Sequence, residues 1–287
     1  MTYDCVIIGS GVAGLTSALY LARAKKSVMI IEDSVLGGTT ATLDKIENYP
    51  GFISISGFEL IQNIIKQVSL LGVNIDFLQI SNIDFDNNAI KCDKTEIKYR
   101  SLIIASGTTN KKLNLEEETN FKFKGLSYCA ICDGNLYKNK KVVVVTNGNS
   151  GKESVNYLSN LTDEIVVIDN SDKYKSDKFL VISNANITKI IGNNHVESIE
   201  VKDIDGKKRI IQCDGIFVAL GKETNLNLYK KYITTKNGYI LSDENMHTNL
   251  DGVFVAGDVR YKSLRQIVTA CSDGAIAATE AIKYLQS

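Results

Sequence analysis

The chain opens on an apolar run, Tyr3 to Ile8, that stops at Gly9-Ser10-Gly11-Val12-Ala13-Gly14. A short apolar run ended by glycines predicts a buried strand, and the spacing of Leu15 to Ala24 predicts a helix. A second run, Ser27 to Ile31, predicts another strand, closed by Glu32. The same alternation returns near Lys141. Val142 to Val145 reads as a strand, Thr146-Asn147-Gly148-Asn149-Ser150-Gly151 as a turn, and the segment to about Ser159 as a helix. Glu164 to Ile168 reads as the next strand, ending at Asp169. Shorter strands are expected at Asn186 to Ile191, Val196 to Val201 and Lys207 to Cys213, and a final helix over roughly Ser263 to Leu285. Strands alternating with helices define an α/β protein. Two βαβ units of one kind suggest an old duplication, without a short-period repeat. Pro50 is the only proline, and no low-complexity linker separates the units.

The first glycine turn has the spacing of a dinucleotide site. Gly9 serves the tight turn, Gly11 the close approach of a pyrophosphate, and Gly14 the contact between helix and strand. The helix N-terminus favours phosphate charge. Glu32, 18 positions after Gly14, stands where an acid receives the ribose hydroxyls of an adenosine. A lone GxGxxG is a weak signal, but here strand, helix, second strand and terminal acid all fall into place.

Length and charge narrow the classes. A chain of 287 residues holds two domains of ordinary size. Lys+Arg and Asp+Glu number 33 each, so the net charge of +0 offers no electrostatic footprint for nucleic acid or an anionic membrane. No apolar run reaches the length of a membrane span. Met1-Thr2-Tyr3-Asp4 leads straight into a strand with no export signal, so a cytoplasmic protein is expected. Lys138-Asn139-Lys140-Lys141 and Lys173-Tyr174-Lys175 could meet an acidic partner, though solvated surface lysines explain both.

Of six cysteines, Cys5, Cys92, Cys213 and Cys271 are scattered among apolar residues and read as small buried hydrophobes. Cys129-Ala130-Ile131-Cys132 is different. A structural zinc site needs four ligands, no second CxxC exists, and His195 and His247 stand apart in sequence. No metal is therefore expected, and the pair reads as a redox dithiol that exchanges with a partner disulfide through its thiolate. Asp133 is the nearby acid to manage protons, or else a turn residue before Gly134.

Five segments together resemble the low-molecular-weight thioredoxin reductases: Gly9–Gly14, Glu47-Asn48-Tyr49-Pro50-Gly51-Phe52, Ile104-Ala105-Ser106-Gly107, Cys129-Ala-Ile-Cys132-Asp133-Gly134, and Gly257-Asp258 through Arg265-Gln266 to Ala270. They extend from the first strand to the last helix. The resemblance implies two Rossmann-like domains, an FAD domain (1–112 and 243–287) split by an inserted domain (113–242) that carries the CxxC. It implies that Gly9, Gly11, Gly14 and Glu32 hold the ADP half of FAD. Asn48, Gly257, Asp258, Arg265 and Gln266 would lie along the flavin and its ribityl chain. Cys132 would take electrons from the flavin, Cys129 would attack the disulfide of thioredoxin, Asp133 would move protons, and the enzyme would be a homodimer.

The second unit departs from the NADPH-dependent members. Thr146 stands in place of the first glycine, where a β-branched side chain crowds the approach of a pyrophosphate. After the next strand the chain reads Asp169-Asn170-Ser171-Asp172-Lys173-Tyr174-Lys175, with no arginine for a 2′-phosphate. NADPH is therefore not expected. Two donors remain. Asp169 could hold the ribose of NADH, but Thr146 and the proline-free Gly221-Lys222-Glu223-Thr224-Asn225 segment count against it. Alternatively, the second domain has lost its nucleotide and the flavin is reduced by ferredoxin, as in the ferredoxin-linked flavin thioredoxin reductases, which this pattern resembles more. A non-catalytic FAD and dithiol sensor is a third reading. A ferredoxin–NADP reductase is disfavoured, because it needs no dithiol.

Overall fold

A computed structural model describes residues 2–92 and 95–287, with Asn149 described by its backbone alone. The chain divides into two units: Met1–Thr109 with Thr224–Ser287, and Asn110–Glu223. The first break lies close to the expected 112. The second lies at 223 rather than 242, because Tyr229, Ile233 and Ile240 are buried in a core of the first unit, beside Val6, Ile8 and Ile31.

In the first unit, strands β1 (Thr2–Ile8), β2 (Val28–Glu32), β3 (Asn74–Phe77), β4 (Ile80–Asp84), β5 (Ala89–Cys92) and β6 (Thr95–Ile104) form one sheet in the order β3-β2-β1-β6-β5-β4. The pairings from β3 through β6 are parallel, and β4-β5-β6 are antiparallel. One edge of β6 is shared. Its first half pairs with β5, and Leu102–Ile104 pairs in parallel with Val253–Val255 from the end of the chain. Side chains alternate across this sheet, as the period of two requires. Cys5, Ile7, Val28 and Ile30 enter one core, and Val6, Ile8, Met29 and Ile31 enter the other.

The second unit has a five-stranded parallel sheet in the order Leu180–Ser183, Ile165–Asp169, Val142–Thr146, Gly215–Ala219, Leu126–Ser127. Val142–Thr146 is buried throughout, which explains its uninterrupted apolar sequence: such sheets are covered on both faces. An antiparallel sheet of Asn186–Ile191, Ser198–Lys202 and Lys208–Gln212 completes the unit.

Cys5, Cys92 and Cys213 are buried, and burial pushes the Cys5 and Cys213 thiols up to about 12. Cys271 is only half-buried, contrary to expectation, with Sγ 3.9 Å from the Tyr49 hydroxyl. Among the described residues, no helix is long and apolar enough to cross a membrane.

The first helix, Val12–Arg23, packs on the C-terminal helix, Ile267–Tyr284, at very short range. A Cβ built on Gly274 would lie 2.3 Å from the Ala13 carbonyl oxygen, and Ser17 Oγ donates to the Gly274 carbonyl at 3.0 Å. Gly274→Ala must therefore push the C-terminal helix away from the helix that follows the glycine turn. We expect a loss of about 1–3 kcal/mol, the usual range for overpacking, measured by urea unfolding followed through circular dichroism.

Candidate functional site

The glycine turn of the first unit is shaped by three different requirements. Gly9 has φ +103°, and a Cβ there would meet the Ala105 carbonyl oxygen at 2.5 Å. A Cβ on Gly14 would lie 1.9 Å from the Gly9 carbonyl oxygen. Around Gly11 nothing lies within 4 Å of a built Cβ, so the middle of the turn faces open space at the first helix N-terminus. That is the cradle a pyrophosphate needs. Glu32, buried at the end of β2, ties the turn down: its Oε2 accepts from Ser10 N at 2.8 Å and Ser10 Oγ at 2.6 Å. Its Oε1 accepts from Asp33 N and Ser34 N. Ser10 Oγ in turn accepts from Gly37 N at 3.1 Å. Ser10 had no sequence signal beyond lying between two glycines.

The other expected flavin residues gather around the start of the C-terminal helix. Asn48 Nδ2 donates to Gln266 Oε1 at 3.1 Å. Gln266 caps that helix, with its N–H donating to Thr269 Oγ1, so the helix starts at Ile267 and not at Ser263. Gly257 has φ +79°, and a Cβ there would lie 2.9 Å from Ala13 Cβ, which sets this turn against the first helix. Arg265 lies over the Tyr239 ring at 3.9 Å and donates to the carbonyls of Asp258 and Arg260 at 3.2 Å each, so it holds the Asp258 backbone in place. These residues fit the FAD expected of them: an open glycine cradle with an acid at the strand end, beside a braced turn.

The second unit carries Cys129 and Cys132, joined as a disulfide with Cα atoms 5.3 Å apart. Cys129 caps the short helix Ala130–Asp133, and its Sγ accepts from Cys132 N at 3.2 Å. Both cysteines are half-buried, whereas Ile131 between them is exposed. Ser127 links the pair to the acid. Its hydroxyl donates to Asp133 Oδ2 at 2.6 Å and accepts from Cys129 N at 3.0 Å. Asp133 is therefore part of the dithiol segment, and Ser127 is a member that sequence reasoning missed.

The second glycine turn is built differently from the first. Strand register aligns Thr146 with Asp169 and so places Thr146 where Gly9 stands in the first unit. The Thr146 hydroxyl donates to the Gly148 carbonyl at 2.8 Å, and a Cβ on Gly151 would lie 2.6 Å from the Thr146 side chain. Gly148 corresponds to Gly11 in sequence but has φ +68° where Gly11 has −64°, and a Cβ there would point at Lys173 Cβ, 2.9 Å away, and Ser171 Oγ, 3.3 Å away. Asp169 organises that filling. Its buried carboxylate accepts from the N–H groups of Gly148 (2.8 Å), Ser171 (3.1 Å), Lys173 (3.0 Å) and Tyr174 (2.8 Å). Residues 148–151 form a 3-10 turn, and the helix after it has only seven residues, Lys152–Leu158. Burial raises the Asp169 carboxyl, but the N–H donors of Tyr174, Gly148 and Ser171 outweigh it and hold it below the ordinary carboxylate range.

The pattern of the pyridine nucleotide-disulphide oxidoreductases matches residues 3–274, and the chain belongs to that family. It is 38% identical to a thioredoxin reductase of Listeria innocua, covering 99% of this chain and 94% of the relative. The crystal structure of thioredoxin reductase from Streptococcus pyogenes superposes with a TM-score of 0.92 at 32% identity, covering 99% of this chain and 98% of that one. A ferredoxin-flavin thioredoxin reductase from Clostridium acetobutylicum aligns at 30% identity and a TM-score of 0.56, over 99% and 98% of the two chains. Fold and relatives thus define an oxidoreductase of the thioredoxin reductase type, in a family for which FAD is the expected cofactor.

Asp169→Asn replaces an acceptor of four backbone N–H groups with a side chain that also brings donors. We expect a loss of about 1–3 kcal/mol at pH 7. Because the folded-state value of Asp169 lies below its unfolded value of about 3.9, its contribution is complete above that value and is lost as pH falls through the folded one. Urea unfolding from pH 7 to pH 3 should show the gap between wild type and variant closing on the acid side.

Proposed function

We propose that the chain is a flavin-dependent thioredoxin reductase whose electrons come from reduced ferredoxin and not from a pyridine nucleotide. The observation that carries the donor is the contrast between the two glycine turns: Gly11 faces open space, whereas Gly148 is covered by Ser171 and Lys173. A pyrophosphate finds its cradle in the first unit and meets side chains in the second. The NADH alternative would bring a ribose to Asp169, whose carboxylate instead holds the Ser171, Lys173 and Tyr174 N–H groups of the segment that covers Gly148.

Gly9, Gly11, Gly14 and Glu32 would hold the ADP half of FAD, with Asn48, Gly257, Asp258, Arg265 and Gln266 along the rest. When bound, FAD supplies the conversion between a one-electron donor and the electron pair that a disulfide takes up. Two electrons and two protons would open the Cys129–Cys132 bond to a dithiol, Cys132 being the sulfur that takes the electrons. The Cys129 thiolate attacks one sulfur of the oxidised partner, forming a mixed disulfide and releasing the first partner thiolate. Cys132 then attacks Cys129 Sγ, which closes the ring and releases the second. Asp133, bonded to the Ser127 hydroxyl, carries protons between the sulfurs and solvent. The driving force is sufficient: about 130 mV separates a plant-type ferredoxin near about −400 mV from thioredoxin near about −270 mV, or about 6 kcal/mol for two electrons. We read the working enzyme as a cytoplasmic homodimer.

Anaerobic titration of the flavin absorbance, with NADPH, NADH and enzymatically reduced ferredoxin added separately, tests the donor. Bleaching by ferredoxin alone is expected, and rapid stoichiometric bleaching by either nucleotide would contradict it. In Cys129→Ser, the flavin should still bleach while thioredoxin reduction falls to background. Continued turnover would remove Cys129 from its role.

A further inference from the structure

Next to Asp258, the structure holds a buried charge cluster of Arg260, Lys262 and Asp273, to none of which the sequence alone gives a role. Asp273, on the C-terminal helix and almost fully buried, accepts Gly257 N at 3.1 Å, Lys262 Nζ at 2.8 Å, and Arg260 Nε and Nη2 at 3.4 and 3.3 Å, the latter to its second oxygen. Lys262 is unusual for a lysine, with a side chain only 8% exposed. Its Nζ lies between two carboxylates, Asp273 at 2.8 Å and Asp258 Oδ1 at 3.7 Å. Arg260 Nη1 reaches on to Ser242 Oγ and the Asp243 carbonyl at 3.3 and 3.4 Å. Lys262 is thus within ion-pair reach of both the helix acid and the turn acid.

A buried ammonium is costly unless it is paired, and Asp273 alone would satisfy that need. A second carboxylate within ion-pair reach, Asp258 at 3.7 Å, puts the Lys262 ammonium where it can also act on the turn acid electrostatically. Asp273 meanwhile fixes the backbone from which Asp258 projects, through the Gly257 N–H. We propose that Lys262, anchored by Asp273, is the positioning residue for Asp258, and that its ammonium sets the local charge felt by the flavin. This rests on the reading of Asp258 as a flavin-side residue, and is independent of which donor supplies the electrons. A fixed positive charge favours the more negative, reduced form of a nearby group, so removing it makes reduction harder.

Three variants test it. Lys262→Met removes the ammonium and keeps most of the buried chain, leaving the Gly257–Asp273 bond intact. Lys262→Arg restores a cation, and Asp273→Asn loosens the anchor. FAD affinity is measured by fluorescence on reconstituting the flavin-free protein, and the flavin midpoint potential by equilibration with a reference dye. Circular dichroism reports folding. For Lys262→Met, we expect FAD binding weakened by about tenfold or more, as for the loss of one charged hydrogen bond, and a midpoint shifted to more negative potential. Lys262→Arg should recover both in large part. A folded Lys262→Met with wild-type affinity and potential overturns the proposal, as does weakened affinity at an unchanged potential that arginine does not rescue. If Asp273→Asn fails to fold, the lysine pair of variants still decides. A wild-type chain that binds no FAD would instead overturn the reading of the first unit as a flavin domain.

Discussion

A parallel strand that turns sharply into a helix leaves backbone N–H groups inside the protein, and each needs an acceptor. Both units meet that need with a carboxylate at the end of the neighbouring strand, Glu32 in one and Asp169 in the other. The rest of the two sites follows from which segments each carboxylate draws its donors from. Glu32 binds the turn through Ser10 and caps its own Asp33 and Ser34, and Gly11 stays open. Asp169 gathers four N–H groups from two segments and folds residues 171–174 onto Gly148. One device, used twice, leaves a cradle in one unit and fills it in the other.

The filled cradle need not cost the second unit its fold. The five-stranded parallel sheet is intact, and Val142, Val144, Ile165 and Val167 pack on one side while Val143, Val145, Val166 and Ile168 pack on the other. The sheet is stabilised by apolar burial on both faces, a contribution that does not depend on a nucleotide. What the unit presents is the segment Leu126–Asp133, where Ser127 joins the dithiol to an acid. The scaffold of this unit suffices to carry a disulfide.

The parts of this architecture set by local pattern could be read from the sequence. The runs Tyr3–Ile8 and Val142–Val145 announced their strands because both faces are covered, and the glycine turns announced themselves by spacing. The helix Gly57–Ser69 went unread although Ser56 accepts from Glu59 N, a local signal present in Ser56-Gly57-Phe58-Glu59. The domain break at 223 was not legible, since Tyr229 and Ile233 join their core through contacts distant in sequence. Nor was the covering of Gly148 by Lys173, which depends on a carboxylate reaching across 21 positions. Thr146 and the missing arginines marked this turn as unusual, and only the path of the 170–174 backbone shows what covers Gly148. Lys262 and Asp273 carried no signal, because a buried ion pair looks in sequence like two solvated charges.

The central claim, that the second unit no longer accepts a dinucleotide, is tested most directly by isothermal titration calorimetry of the oxidised protein with NADPH and with NADH. The account predicts no saturable heat for either up to about 1 mM. Saturable binding of either nucleotide at micromolar concentration, abolished by Gly148→Trp, would show that the turn opens and would contradict it.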